Sequence, residues 1–270
     1  MIQPAVAGVI GWPIAHSKSP LIHRFWLGKL GLDGDYSRFP VAPDRLGQFL
    51  AAMPAMGLRG VNVTVPHKLL AIPHLASISA GATAVGAINT ILVGADGQLH
   101  GHNTDVAGIH VPAAAAMAAR TVLVVGSGGA ARAGVAAARQ AGAAHLWLLA
   151  RNQVEARAIH TASGLPGGVM PWGAPLPDGT GLLFNATQLG MVGQPPLELD
   201  LTRLPQDATV FDAVYAPLET GLLKAARARG LATIDGLAML IGQAAEAFAL
   251  FFGAPAPRAH DDELRRLLTK

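Results

Sequence analysis

The chain has 270 residues, room for one large domain or two ordinary ones, and its 51% hydrophobic content is ample for a core. Its net charge is only +3, from scattered lysines and arginines with no basic run and no interleaved aromatics, which argues against a nucleic-acid partner. It has no cysteine, so disulfides, thiolate metal sites and cysteine nucleophiles are excluded, and no apolar stretch of about 18 residues that would suggest a membrane span. The start, Met1-Ile2-Gln3-Pro4, has neither a charged leader nor a cleavage-like site. No signal peptide is therefore expected, and a cytoplasmic location is.

In chain order, residues 5–11 form an apolar run closed by Gly11-Trp12-Pro13, a strand and turn. Residues 21–30 have helical spacing and stop at Gly31. A strand is expected over 35–41, a helix over 44–56 and a strand over 61–65. A helix interrupted around Pro73 is expected over 69–78. Residues 88–93 and 98–101 read as a hairpin around Ala95-Asp96-Gly97. An Ala-rich helix over 107–119 then leads to the fully apolar strand 121–125, of the kind buried in parallel sheets. Helix 130–141, strand 145–150, helix 155–163, strands 181–185 and 209–213, helix 221–229 and strand 233–235 follow. Segment 164–181 carries no clear signal for an element. The alternation predicts a doubly wound α/β sheet. A long apolar helix, 238–252, and a charged one, 261–268, end the chain.

The motif Gly126-Ser127-Gly128-Gly129-Ala130-Ala131 follows a strand and opens a helix, with Ala131 as the third small residue of a dinucleotide fingerprint. Gly126 permits the tight turn. Gly128 lets the backbone approach a pyrophosphate, which the helix N-terminus faces with free N–H groups. The end of the next strand selects the cofactor: an acid there holds the 2′-hydroxyl of NAD, an arginine accommodates the 2′-phosphate of NADP. Leu149-Ala150-Arg151-Asn152 offers Arg151 and no acid, so NADP is expected.

Four further polar motifs sit in a bland background. In Val61-Asn62-Val63-Thr64-Val65 the polar residues share one strand face, and Lys68 falls just past the C-terminal strand end, where open α/β sheets bind ligands. Ser17-Lys18-Ser19-Pro20 precedes a helix; Ser19 suits an N-cap with Pro20 at the first helical position, which leaves Ser17 without a role. Two hydroxyls at a positive helix end would also bind a carboxylate. Asp105 and Asn89 taken singly are equally consistent with a helix cap and a turn.

Taken together and in order, these motifs resemble the shikimate dehydrogenase family nearly end to end. The matching segments run from Gly11 to His23, Asn62 to Lys68, Gly86-Ala87-Ile88-Asn89-Thr90 and Asn103-Thr104-Asp105. They continue through the glycine turn, Asn185-Ala186-Thr187, Asp212-Ala213-Val214-Tyr215 with Thr220, and Asp235 to Leu240 with Gln243. The resemblance implies NADPH-dependent reduction of 3-dehydroshikimate to shikimate on the way to chorismate and the aromatic amino acids. It implies Lys68 and Asp105 as the catalytic pair and Ser17 and Ser19 on the substrate carboxylate. Thr64, Asn89, Asp105, Tyr215 and Gln243 would meet the ring hydroxyls. Gly126, Ser127, Gly128, Gly129, Ala130, Arg151, Asn185, Thr187, Ala213, Gly236 and Met239 would form the cofactor site. It further implies a substrate domain of residues 1–103 completed by 236–270, a Rossmann-type nucleotide domain of 104–235, and an active-site cleft between them, in a monomer or homodimer.

The chemistry agrees with that pair: hydride arriving at a carbonyl carbon builds charge on oxygen, which a lysine ammonium stabilises and protonates, held in place by an aspartate. No metal is expected, since there is no cysteine and no histidine–carboxylate grouping with ligand spacing. The chain departs from the family at Ala150-Arg151-Asn152, where the family often has Asn-Arg-Thr, and in three further places. Glu155 stands where a second basic residue usually follows Arg151, and as an acid it would offset part of the attraction for a 2′-phosphate. The segment 76–83 lacks the family's usual acid, and His23 is followed by Arg24 rather than Asn. The rivals are a quinate or dual-substrate relative using NAD, whose second serine tends to vary whereas Ser19 is intact, a non-catalytic sensor of the same fold, and an NADP enzyme acting on a folate.

Overall fold

The computed structural model describes residues 4–269; residues 1–3, part of the leader assessment above, and Lys270 lie outside them. The described residues up to Thr104, with those from Gln243 onward, form one compact unit, and Asp105–Gly242 form a second.

The first unit is built on a mixed six-stranded sheet. Strand β1 (Ala5–Gly11) leads through helix α1 (Ser19–Leu30) to β2 (Gly34–Pro40). Helix α1 ends at Gly31, whose φ of 62° is the left-handed cap that glycine supplies without strain. A 3₁₀ turn (Pro43–Arg45) and α2 (Leu46–Ala52) lead to β3 (Leu58–Val63). Then come α3 (His67–Leu70), a 3₁₀ turn (Ile72–His74), β4 (Ser77–Ile78), α4 (Ala80–Val85), β5 (Thr90–Val93) and β6 (Leu99–His102). The strand order is β2-β1-β3-β5-β6-β4, with β2, β1 and β3 parallel and the expected β5–β6 hairpin antiparallel.

The expected helix over 69–78 is corrected here. Only one turn forms before Pro73, and Ser77–Ile78 joins the sheet edge instead, pairing in parallel with His100 and Gly101. Backbone donors Ala76 N to Leu99 O (2.9 Å) and Ser79 N to Gly101 O (2.8 Å) flank that pairing and offset the helical bonds a proline prevents. Ser79 then caps α4, accepting from Ala82 N at 3.2 Å.

The second unit opens with α5 (Asp105–Met117) and strand β7 (Thr121–Val125), followed by α6 (Gly129–Gln140), β8 (His145–Leu149) and α7 (Gln153–Ser163). Strands β9 (Gly167–Met170), β10 (Thr180–Asn185) and β11 (Thr209–Asp212), helix α8 (Gly221–Ala228), and β12 (Ala232–Ile234) complete its sheet. The order β12-β11-β10-β7-β8-β9 is all parallel and is the doubly wound 3-2-1-4-5-6 arrangement counted from β7. Strand β9 was not expected: it lies within 164–181, where Gly167 and Gly168 weaken the strand signal, yet it forms the sheet edge beside β8. The core strands β7 and β10 are almost wholly buried, which explains their unbroken apolar runs.

Helix α9 (Gly236–Phe252) belongs in part to each unit, so the sequence-based boundary at 236 falls earlier than the observed change after Gly242. Its start packs on the second unit: a Cβ on Gly236 would stand 2.5 Å from the carbonyl oxygens of Ala213 and Val214. Its end, with Ala247 and Phe251, joins the core around Ala7, Val9, Ile14 and Tyr36. A 3₁₀ turn (Arg258–His260) and α10 (Asp261–Leu268) follow. No helix among the described residues is long and apolar enough to cross a membrane.

Within the first unit His23 is fully buried, stacked on Tyr36 at 4.0 Å and ringed by Trp26, Phe248, Phe251 and Phe252. Neither ring nitrogen has a hydrogen-bond partner among the described residues, and burial lowers its pKa from 6.5 to about 3. The unfolded chain therefore binds a proton that the folded chain refuses between those values. Stability is expected to fall with pH from 6.5 downward at about 1.4 kcal/mol per pH unit from this group. His23→Phe, which keeps the stack and loses no hydrogen bond, is expected to flatten that slope in urea titrations from pH 7 to pH 4. An unchanged slope would remove His23 as its cause.

Candidate active site

The C-terminal ends of β1 and β3 place the first group of predicted residues. Thr64 N donates to Ile10 O (3.0 Å), Trp12 N to Val65 O (3.0 Å) and Val63 N to Asn89 O (2.7 Å). Lys68 lies in α3, and its carbonyl accepts from Ile88 N at 3.2 Å, which brings its backbone beside Asn89. The structure thus brings Thr64, Lys68 and Asn89 to one edge of the sheet, the edge expected for ligand binding.

Ser17 and Ser19 lie in the same unit, and their roles at α1 are corrected. Ser19 is the first helical residue rather than its cap, Lys18 occupies the cap position, and no side chain caps there. Ser17 Oγ instead accepts from Ser19 N at 3.3 Å and donates to Ser19 Oγ at 3.2 Å. Two ties hold this turn: Arg38 donates through Nε (2.9 Å) and Nη2 to Ser17 O, and Lys18 Nζ donates to Leu268 O at the end of α10.

From the serines a run of buried hydrogen bonds crosses the sheet. Ser19 bonds the Tyr36 hydroxyl, which burial drives well above its ordinary pKa while that bond opposes the shift. Tyr36 Oη donates to Asn62 Oδ1 (2.6 Å), Asn62 Nδ2 to Thr90 Oγ1 (2.9 Å), and Thr90 Oγ1 to Asn89 Oδ1 (3.1 Å). Asn89 Nδ2 donates to Thr104 Oγ1 (2.9 Å), which contacts Gln243 Oε1 at 3.5 Å. Of these, Tyr36, Asn62, Thr90 and Thr104 were not singled out as site residues. A tyrosine and an asparagine buried among valines were the available signal, because buried polar groups must find partners.

In the second unit the sheet order reverses between β7 and β10, the place where doubly wound sheets bind dinucleotides. Gly126 follows β7 with φ 118°, a conformation that excludes a Cβ, and a Cβ there would also come within 3.1 Å of Thr187 Cγ2. Gly128 caps α6 in an extended conformation with no side-chain cap bond, and a Cβ on it would meet nothing within 4 Å. The open first turn of α6, spanning Gly129 and Ala130, therefore offers N–H groups to an anion, as a pyrophosphate cradle requires. The residues fit the nucleotide the sequence implies.

Asn185 is fully buried and committed inside the protein. Its Nδ2 donates to Asp212 Oδ1 (2.8 Å) and Leu189 O (3.2 Å), and its Oδ1 accepts from Thr187 N (3.0 Å) and Thr187 Oγ1 (2.7 Å). Asp212 also accepts from Thr220 Oγ1 (2.7 Å) and Val214 N (3.0 Å), and burial raises its pKa against these bonds. This lock sets the turns after β10 and β11, hence the positions of Thr187 and Ala213. Burial likewise raises the Tyr215 hydroxyl.

Arg151 is exposed just after β8, and Asn152 caps α7 by accepting from Glu155 N at 3.1 Å. Glu155 was expected to oppose a 2′-phosphate as a bare acid; in the structure its carboxylate is paired with the Arg132 guanidinium of α6. Met239 is buried in the part of α9 that belongs to this unit, while Lys68 and Asp105 fall in different units. No grouping of metal-ligating side chains occurs among the described residues.

A doubly wound unit with a glycine turn at its reversal point, joined to a unit carrying a lysine among amides and hydroxyls, defines a dinucleotide-dependent oxidoreductase class. Residues 9–91 match the family model for the shikimate dehydrogenase substrate binding domain, and residues 236–261 that for the shikimate 5′-dehydrogenase C-terminal domain. The shikimate dehydrogenase (NADP(+)) of Sphingopyxis alaskensis is 52% identical over 264 residues, 97% of this chain and 96% of that one. Among solved structures, the Thermus thermophilus shikimate 5-dehydrogenase in complex with NADP(H) and shikimate is 35% identical with a TM-score of 0.86, covering 97% of this chain and 98% of that one. The 5-ketofructose reductase of Gluconobacter is 29% identical with a TM-score of 0.90, covering 99% and 100%. The chain belongs to the shikimate dehydrogenase family.

Proposed function

We propose that this protein interconverts 3-dehydroshikimate and shikimate with NADP, a step toward chorismate and the aromatic amino acids, in the cytoplasm and as a monomer or homodimer. The observation that carries this is near-full-length similarity to the Sphingopyxis enzyme, with the polar edge of the first unit and the glycine turn of the second both intact. In this reading the first unit binds the substrate and the second the nucleotide. NADPH, when bound, supplies the hydride. Lys68 stabilises and protonates the oxygen on which charge grows, and Asp105 holds that lysine in place. Ser17 and Ser19 take the carboxylate, and Thr64, Asn89, Asp105, Tyr215 and Gln243 take the ring hydroxyls. The seam from Tyr36 to Thr104 keeps Asn89 from turning its amide.

Steady-state assays with shikimate, quinate and 5-ketofructose, each with NADP and NAD, test the assignment. Shikimate with NADP is expected to give the highest kcat/KM; a higher value for either other substrate would overturn the substrate assignment. Ser17→Ala is expected to raise KM for shikimate about tenfold to a hundredfold, the worth of one hydrogen bond to a charged group, with a smaller change in kcat. Unchanged kinetics with a large drop in Tm would leave Ser17 a purely structural role at α1.

A further inference from the structure

Three charged side chains occupy the C-terminal edge of the second unit's sheet around the end of β8. Arg151 lies two residues past the end of that strand. Arg132 lies one turn into α6, its N–H donating to Gly128 O at 3.0 Å. Glu155 lies in the first turn of α7, set there by the Asn152 cap. The Arg132 and Glu155 side chains are 24% and 36% exposed, so their ion pair is neither fully solvated nor desolvated.

We propose that the Arg132–Glu155 ion pair sets the cofactor preference, with Arg132 masking the charge of Glu155 so that a 2′-phosphate meets Arg151 without opposition. This rests on the NADP assignment. An acid near this strand end would favour NAD twice over, by accepting from a ribose 2′-hydroxyl and by repelling a 2′-phosphate. A carboxylate engaged by a guanidinium does both less well: the oxygen it bonds, Glu155 Oε1, is occupied and its charge is offset at close range. The two arginines and the glutamate leave a local charge of +1, the same as Arg151 alone. The acid that stands where the family carries a second base is thereby compensated from the neighbouring helix, 23 residues earlier in the chain.

Titration calorimetry at low salt on the intact chain, with NADP+ and NAD+ and with adenosine 2′,5′-bisphosphate and AMP as probes, reads this directly as Kd. Arg132→Met unmasks the acid and is expected to weaken binding of both 2′-phosphorylated ligands about tenfold while the other two change less than about twofold. Glu155→Gln frees the arginine and is expected to tighten the 2′-phosphorylated ligands several-fold. The double variant is expected to return to within about threefold of wild type. Equal weakening of both ligand classes by Arg132→Met overturns the proposal, as does a Glu155→Gln variant that binds NADP+ no more tightly. A double variant as weak as Arg132→Met also overturns it, since that pattern requires direct contact rather than masking. Glu155→Gln, a polar isostere at a half-exposed position, decides the matter if Arg132→Met does not fold. Wild type binding NAD+ more tightly than NADP+ would instead overturn the cofactor assignment itself.

Discussion

Lys68→Ala is expected to lower kcat for shikimate oxidation by several orders of magnitude while the Kd for shikimate changes much less. A positioned acid–base group contributes about 10²–10⁴-fold, and charge stabilisation at the developing oxyanion adds to it. The fold anchors Lys68 by its backbone. Its carbonyl accepts from Ile88 N, and only Thr64, Val65 and Pro66 separate α3 from the end of β3. The substitution removes an ammonium from the first turn after a strand and no part of the unit's core. Asp105→Asn is expected to produce a loss of similar size, and the double variant to be little worse than either single one, because groups that act as a unit give non-additive effects. Near-normal turnover in Lys68→Ala would end its catalytic assignment. Additive losses in the double variant would show that the two residues act separately.

The elements legible in the sequence were those whose pattern is local. Strands such as Thr121–Val125 and helices such as Gly129–Gln140 announce themselves by apolar runs, glycine turns and period. The motif residues were read from their order along the chain, and the structure brings Thr64, Lys68 and Asn89 of them to one edge of the first unit's sheet. The misread elements depended on partners distant in sequence. Ser77–Ile78 is a strand because Leu99–His102 lies beside it, and Gly167–Met170 because His145–Leu149 does; neither segment carries its own strand signal. The same holds for side chains. Ser19 looked like a cap by position, yet the backbone N–H it was expected to satisfy is not bonded by it, and Ser17 bonds inward instead. Glu155 looked like a bare acid because Arg132 is 23 positions away on another helix. Tyr36 could be recognised only once Asn62 and Ser19 were seen beside its hydroxyl.

Arg151→Ala is expected to reduce the ratio of kcat/KM with NADP to that with NAD by about tenfold to a hundredfold, the worth of a charge-assisted contact to a 2′-phosphate. The fall should come from the NADP term, since NAD has no phosphate for the guanidinium to meet. Arg151 is suited to this because it is exposed. It lies two residues past the end of β8, where the ribose of a dinucleotide bound at the β7–β10 reversal is read, whereas Arg132 is engaged with Glu155. The Asn152 cap that starts α7 should survive the substitution, since its acceptor is the Asn152 side chain and its donor Glu155 N. Binding of NAD and thermal stability should therefore remain near wild type. Glu155→Lys should move the ratio the other way, adding a cation and releasing Arg132. Salt gives an independent check: an exposed arginine acting on a phosphate is screened, so the NADP preference of wild type should shrink as ionic strength rises and that of Arg151→Ala should hardly change. A ratio that Arg151→Ala leaves intact would mean the 2′-phosphate is read by another residue.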